Sequence, residues 1–263
     1  MHLTREHIDA YCLSLLADER SAGTISKYRR DLTAFSRWLD GRAVTKESAT
    51  AWKACLLNRD YAPRTVNSML AAVNGFCRFA GLPIKLKFLS IQRQIFRDSS
   101  RELTKEEYDR LLAAARESGQ ERLALIMETL CATGIRVSEL RYITVEAALA
   151  GRATITLKGK IRTILLPAKL CRKLVKYARK QKLAAGEIFL TSSGRGISRR
   201  QVWFELKRLC KAAGVESTKV FPHNLRHLFA TTFYRASRDI VRLADMLGHS
   251  SIDTTRIYLT VSG

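Results

Sequence analysis

TISKYRRDLTAFSRWLD, residues 24–40, sets Ile25, Tyr28, Leu32, Phe35 and Leu39 at intervals of three, four, three and four. Those intervals return to one face of a 3.6-residue turn, so the stretch predicts an amphipathic helix. Lys27, Arg29, Arg30 and Arg37 fall on its other faces, where charge meets water. Similar stretches begin near Thr4, Thr45 and Pro63, each on a residue suited to a helix start. Strand signals are nearly absent here, so a bundle of about four helices is the simplest assembly for the first part of the chain.

Gly81 and Pro83 lead into KLKFLSIQRQIFRDSSRELT, residues 85–104, a polar and basic passage. It is the expected linker, 89–101, between a first domain over 1–88 and a second over 102–263. Thr104 and Glu107 then form a capping-box pattern, with Leu103 and Tyr108 placed as its hydrophobic staple. ATITLKGKIRTILLP, residues 153–167, has two runs rich in Thr, Ile and Leu around Lys158, Gly159 and Lys160, which reads as a hairpin with a lysine tip. Helices are expected near 168–183, from Ser198 (capping box with Gln201) to Ala213, from His223 to Arg235, and from Ser237 to Leu247. The fold class read from these signals is mainly α with a small β-hairpin.

Of 263 residues, 46 are Lys or Arg and 24 are Asp or Glu, giving a net charge of +22 that calls for a polyanionic partner. Residues 1–97 carry 16 basic and 8 acidic side chains, and residues 98–263 carry 30 and 16. The excess is therefore spread through the chain, as gripping DNA requires, and is not confined to a tail. No apolar run reaches the roughly 20 residues that span a bilayer, and charges interrupt the start, so a cytoplasmic protein without a membrane partner is expected. Cys12, Cys55, Cys77, Cys131, Cys171 and Cys210 show no metal-ligand spacing and read mostly as reduced core residues.

Phosphodiester chemistry needs a nucleophile, positive donors for the phosphate oxygens and a proton for the leaving oxygen. The local clusters of the second part are of Arg, Lys and His, which favours a site that uses no metal and no other cofactor. ATGIRVSEL, residues 132–140, sets Glu139 three residues after Arg136, a pairing that alone reads equally as a surface ion pair. FPHNLRHLFATTF, residues 221–233, sets Arg226 three after His223, with His227 alongside; alone these read as a capping histidine and a solvated arginine. In LGHSSIDTTRIYL, residues 247–259, His249 follows Gly248, and Tyr258 comes nine residues later in an apolar segment that would ordinarily be core.

Together, in this order and spacing, ATGIRVSEL, the lysine hairpin, HNLRH and LGHSSIDTTRIYL resemble the signature boxes of tyrosine recombinases, the phage-integrase and Xer-type group. The helical first part resembles, less sharply, the family's SAM-like core-binding domain, and the second its mostly helical catalytic domain. The resemblance implies a site-specific DNA recombinase that cleaves and rejoins strands without metal or ATP. Tyr258 would form a 3′-phosphotyrosine, Arg136 and Arg226 would hold the nonbridging oxygens, and Lys158 would protonate the departing 5′ oxygen. His223 would assist proton movement, His249 would hydrogen-bond the phosphate, and Glu139 would orient the site. Implied partners are double-stranded DNA, held in a C-shaped clamp, and further copies of the chain. These would form a homotetramer in the synaptic complex from a monomer or dimer when free, in association with a bacterial nucleoid. Lys27, Arg30, Arg64, Lys160, Arg199 and Arg200 are the expected DNA contacts.

Three departures from the family pattern bear on this. Leu157 replaces the glycine that often precedes the hairpin lysine and the turn is a residue shorter, so Lys160 is an alternative general acid. Only Leu259 to Gly263 follow the tyrosine, and no arm-binding domain precedes the bundle, which implies a simple two-domain recombinase. The rival readings are strand relaxation of the type IB topoisomerase kind and a DNA-binding regulator that has lost catalysis.

Overall fold

Helices start where side-chain oxygens can replace the missing partners of the first backbone amides. Thr4, Thr45 and Thr104 accept from the amides of His7, Ser48 and Glu107, each within a reciprocal capping box. The computed structural model describes residues 1–91, 99–157, 160–249 and 251–256, the side chains of Ser99, Leu157 and Lys160 excepted. Lys158, Tyr258 and most of the expected linker thus lie outside the described residues.

The chain divides into two units, Met1–Arg93 and Gln94–Gly263. The first holds α1 (Arg5–Ala17), α2 (Ala22–Leu39), α3 (Lys46–Asn58) and α4 (Pro63–Phe79). Leu32, Phe35 and Leu39, on the face anticipated for α2, are buried with Trp52, Leu70, Val73 and Phe76. Beyond α4 the chain is fastened back onto it. Asn74 exchanges hydrogen bonds with the backbone of Leu86, at 2.9 and 2.8 Å, and Asn67 does the same with Leu89, at 2.9 and 2.7 Å. Two asparagines seven residues apart share one helix face, and each offers the donor and acceptor of a peptide group. The expected linker at 89–101 is corrected at its first residue, because Leu89 packs on the bundle.

The second unit begins with a short 3-10 turn, Ser99–Arg101, and then α5 (Lys105–Glu117) and α6 (Glu121–Thr133). Ile126, Met127 and Leu130 of α6 are fully buried at the centre of its core. A 3-10 segment, Val137–Tyr142, and α7 (Val145–Ala150) lead to strands β1 (Arg152–Leu157) and β2 (Lys160–Leu165), paired antiparallel with Ile155 opposite Arg162. Then follow α8 (Ala168–Lys180), α9 (Arg199–Ala213), α10 (Pro222–Ser237), α11 (Ile240–Leu247) and α12 (Ile252–Arg256).

Two local expectations are corrected here. Ser198 accepts from the amide of Gln201, but the Gln201 amide group donates to Glu205 at 3.0 Å instead of closing a box. The break before α11 falls at Arg238, in the left-handed region at φ +54°, and Asp239 rather than Ser237 caps the new helix. The six cysteines are all free; Cys12, Cys77 and Cys210 are buried, and Cys131 and Cys171 pack half-buried against the core of the second unit, so most are core residues. Burial pushes the Cys77 thiol up to about 11. No described helix is long and apolar enough to cross a membrane.

Candidate active site

The site is built around Glu139, whose side chain is only 1% exposed. Helix α6 ends at Gly134, which takes the left-handed conformation at φ +63° and turns the chain sharply into the 3-10 segment. Arg136 sits at the start of that segment and Glu139 one turn on. The carboxylate accepts from the Arg136 amide at 2.7 Å and from its guanidinium at 3.2 Å. Its Oε2 also accepts from Arg162 at 2.8 Å. A carboxylate this far from water must be charge-paired and hydrogen-bonded, and two arginines do both. Arg136 remains 42% exposed, so part of its guanidinium faces solvent.

Arg162 is a member of this cluster that motif reading missed. Its strand alternates, with Ile161 and Leu165 each 72% exposed and Ile164 buried, so Arg162 shares the inward face with Ile164. Period-two reading alone would have turned it outward, because the apolar Ile161 and Leu165 lie on the other face; pairing with β1, which sets Arg162 opposite the buried Ile155, turns it inward.

Arg226, on α10, is 2% exposed. Its Nη1 donates to the carbonyl of Gly134 and its Nη2 to that of Leu247 at 2.7 Å. These carbonyls close α6 and α11, where the helix dipoles are negative, so a buried cation is compensated by the backbone itself. The sequence reading of Arg226 as an ordinary solvated arginine is thereby excluded. His223, one turn earlier, is exposed. The neighbouring His227 is 3% exposed, its Nε2 3.8 Å from a Glu102 oxygen.

Gly248 ends α11 at φ +64° and delivers His249 beside Arg226. His249 Nε2 lies 3.1 Å from Arg226 Nη2, and Nδ1 lies 2.8 Å from the hydroxyl of the buried Thr255. A guanidinium only donates, so Nε2 accepts and the ring is neutral with its proton on Nδ1. Burial, then the charges of Arg226, Arg136, Arg162 and His223, depress its pKa to about 4. Arg226 touches the imidazole directly, and Arg162 reaches the same end of α11 through the carbonyl of Met246.

This has a consequence for stability. The folded value lies below the unfolded value near 6.5, so the unfolded state binds the proton first as pH falls. Wild type is expected to lose more unfolding free energy than His249→Gln between about pH 7.5 and 4.5, with the difference levelling off below about 4. Urea melts across that range check it. Gly248→Ala is a second case, because a Cβ there collides with the Arg162 guanidinium and the backbone is left-handed. A loss of about 1–3 kcal/mol is expected in the same melts.

The expected DNA contacts fall into three groups. Arg64, near the start of α4, and Arg199 and Arg200, in the first turn of α9, are exposed. Lys27 instead pairs with the buried Asp31 at 2.5 Å, and Arg30, 74% exposed, reaches the same carboxylate at 3.2 Å. The Lys160 side chain lies outside the described residues, as do Lys158 and Tyr258.

The profile of the phage integrase family matches residues 101–263, and that of the phage integrase N-terminal SAM-like domain matches residues 8–81. The chain belongs to the phage integrase family. Tyrosine recombinase XerC of Roseiflexus castenholzii is 33% identical, over 96% of this chain and 88% of its own length. Tyrosine recombinase XerA of Pyrococcus furiosus is 30% identical, over 99% and 91%. Among solved structures, a lambda integrase tetramer bound to a Holliday junction aligns with a TM-score of 0.74 at 20% identity, covering 96% of this chain and 76% of that one. The XerH site-specific recombinase bound to difH substrate, a pre-cleavage complex, aligns at 0.72 and 19%, covering 98% and 82%. At those identities the structural likeness is one of fold. A mostly helical architecture with a two-stranded antiparallel sheet is thus that of the phage integrase family.

Proposed function

We propose that this member of the phage integrase family is a site-specific tyrosine recombinase that cuts and rejoins double-stranded DNA through Tyr258. The phenol oxygen bonds to phosphorus as the bond to the 5′ oxygen breaks, leaving a 3′-phosphotyrosine and a 5′-hydroxyl. The phenolic proton leaves with help from His223, and Lys158, or Lys160 in the shorter turn, supplies one to the 5′ oxygen. Arg136 and Arg226 stabilise the charge on the nonbridging oxygens, where paired guanidinium donors suit phosphate geometry. Glu139 orients Arg136, and His249 completes the phosphate's surroundings. A 5′-hydroxyl of another duplex reverses the step, and since the phosphotyrosine conserves the bond, no nucleotide hydrolysis is needed.

The observation that carries this reading is the convergence of three arginines from distant segments: Arg136 and Arg162 share the buried Glu139, and Arg226 lies 3.1 Å from His249. Residues 1–89 serve as the core-binding domain and 102–263 as the catalytic one, with Arg64, Arg199 and Arg200 on phosphate or base edges. Two duplexes and four strands to cut call for a tetramer on DNA, and the substrate places the protein with the nucleoid in the cytoplasm. Covalent capture tests the chemistry. Wild-type chain incubated with nicked duplexes from a randomised inverted-repeat library is expected to retain DNA through denaturation. Exchange between two labelled duplexes of the captured sequence then separates recombination from relaxation.

A further inference from the structure

We propose that Arg162 is a positioning residue for strand cleavage, fixing Glu139, and through it Arg136, against the end of α11. The inference rests on the reading of Arg136 as a phosphate-binding residue. Three contacts support it. Arg162 Nη2 donates to Glu139 Oε2 at 2.8 Å, and Nη1 donates to the carbonyl of Met246 at 3.2 Å, in the last turn of α11. Gly248, two residues on, lies so close to the same guanidinium that a Cβ there would displace it. One planar fork thus joins the inward face of β2, the acid that holds Arg136, and the turn that presents His249.

The charge balance explains why a second arginine is needed. Glu139 is 1% exposed, Arg162 15% and Arg136 42%. With Arg162 present, the buried carboxylate is neutralised from the inside and Arg136 is left half in solvent. Without it, Arg136 would be the only cation on a buried charge and would be drawn inward, away from the phosphate it must meet. A displaced guanidinium in a transition state is costly, because its donors act only at the right distance. Lysine cannot replace the fork, since one ammonium does not span Glu139 and the Met246 carbonyl together.

The test uses the full chain and nicked duplexes selected by covalent capture on the wild type. Single-turnover cleavage at saturating protein, DNA affinity and urea melts are measured for Arg162→Gln and Arg162→Lys, each alone and combined with Arg136→Ala. Arg162→Gln is expected to slow cleavage about 30-fold or more, and Arg162→Lys about 10-fold, with DNA affinity nearly unchanged. On the Arg136→Ala background the same substitutions should cost no more than about twofold, because the effect runs through Arg136. Full additivity, which a merely structural role would give, overturns the inference, and so does an Arg162→Lys chain that cleaves at the wild-type rate. If Arg162→Gln does not fold, the Arg162→Lys rate and its coupling to Arg136 decide alone. A wild type that forms no adduct overturns the proposed chemistry and this role with it; a reactive wild type with additive variants overturns Arg162 only.

Discussion

Tyr258→Phe is expected to bind its duplex as tightly as wild type and to form no covalent adduct. The substitution removes one oxygen, the atom proposed to bond to phosphorus, and leaves the ring. The cationic cluster made by Arg136, Arg162 and Arg226 belongs to other elements and should persist, so phosphate attraction should survive while the chemistry stops. The loss should exceed about 10⁴-fold, since water in the same place lacks the tyrosine's fixed approach. Denaturing gels of labelled nicked duplex read it directly. Adduct formed by the Phe variant would mean that another side chain is the nucleophile.

Arg226→Ala is expected to have two separable effects. Cleavage should slow on the order of 100-fold or more through loss of a transition-state donor. Stability should also drop, by about 2–4 kcal/mol, because buried acceptors are left without their donor. The carbonyls of Gly134 and Leu247, which end α6 and α11, would lose their shared donor, as would His249 Nε2. Arg226→Lys should restore part of the stability and little of the rate, since a single ammonium cannot serve three acceptors set around a planar group. Urea melts and single-turnover cleavage in parallel distinguish the two losses. Near-normal cleavage by a folded Arg226→Ala chain would remove Arg226 from the chemistry.

Much of the secondary structure was legible because its causes are local. The face of α2, the Thr104–Glu107 box and the β1–β2 pairing each arise within a few residues, so spacing alone specifies them. Where two local signals competed, spacing failed: Ser237 and Asp239 are both good caps, and the left-handed Arg238 decided for Asp239. The reach of the bundle to Leu89 was also hidden, since it depends on Asn67, 22 positions earlier.

By itself the sequence determined a basic, mainly helical, two-part protein, and through its ordered boxes the family and the residues to suspect. Only the tertiary structure decided how those residues are held. Arg226 looked like a solvated side chain until α6 and α11 brought two carbonyl ends onto it, and Glu139 looked like half of a surface pair until Arg162 arrived from 23 residues away. Backbone carbonyls carry no residue identity, and a partner on another element leaves no spacing to read. The chemistry of each group is therefore written in the chain, whereas its charge state and orientation come from packing that removes water and lets distant dipoles and charges act at short range.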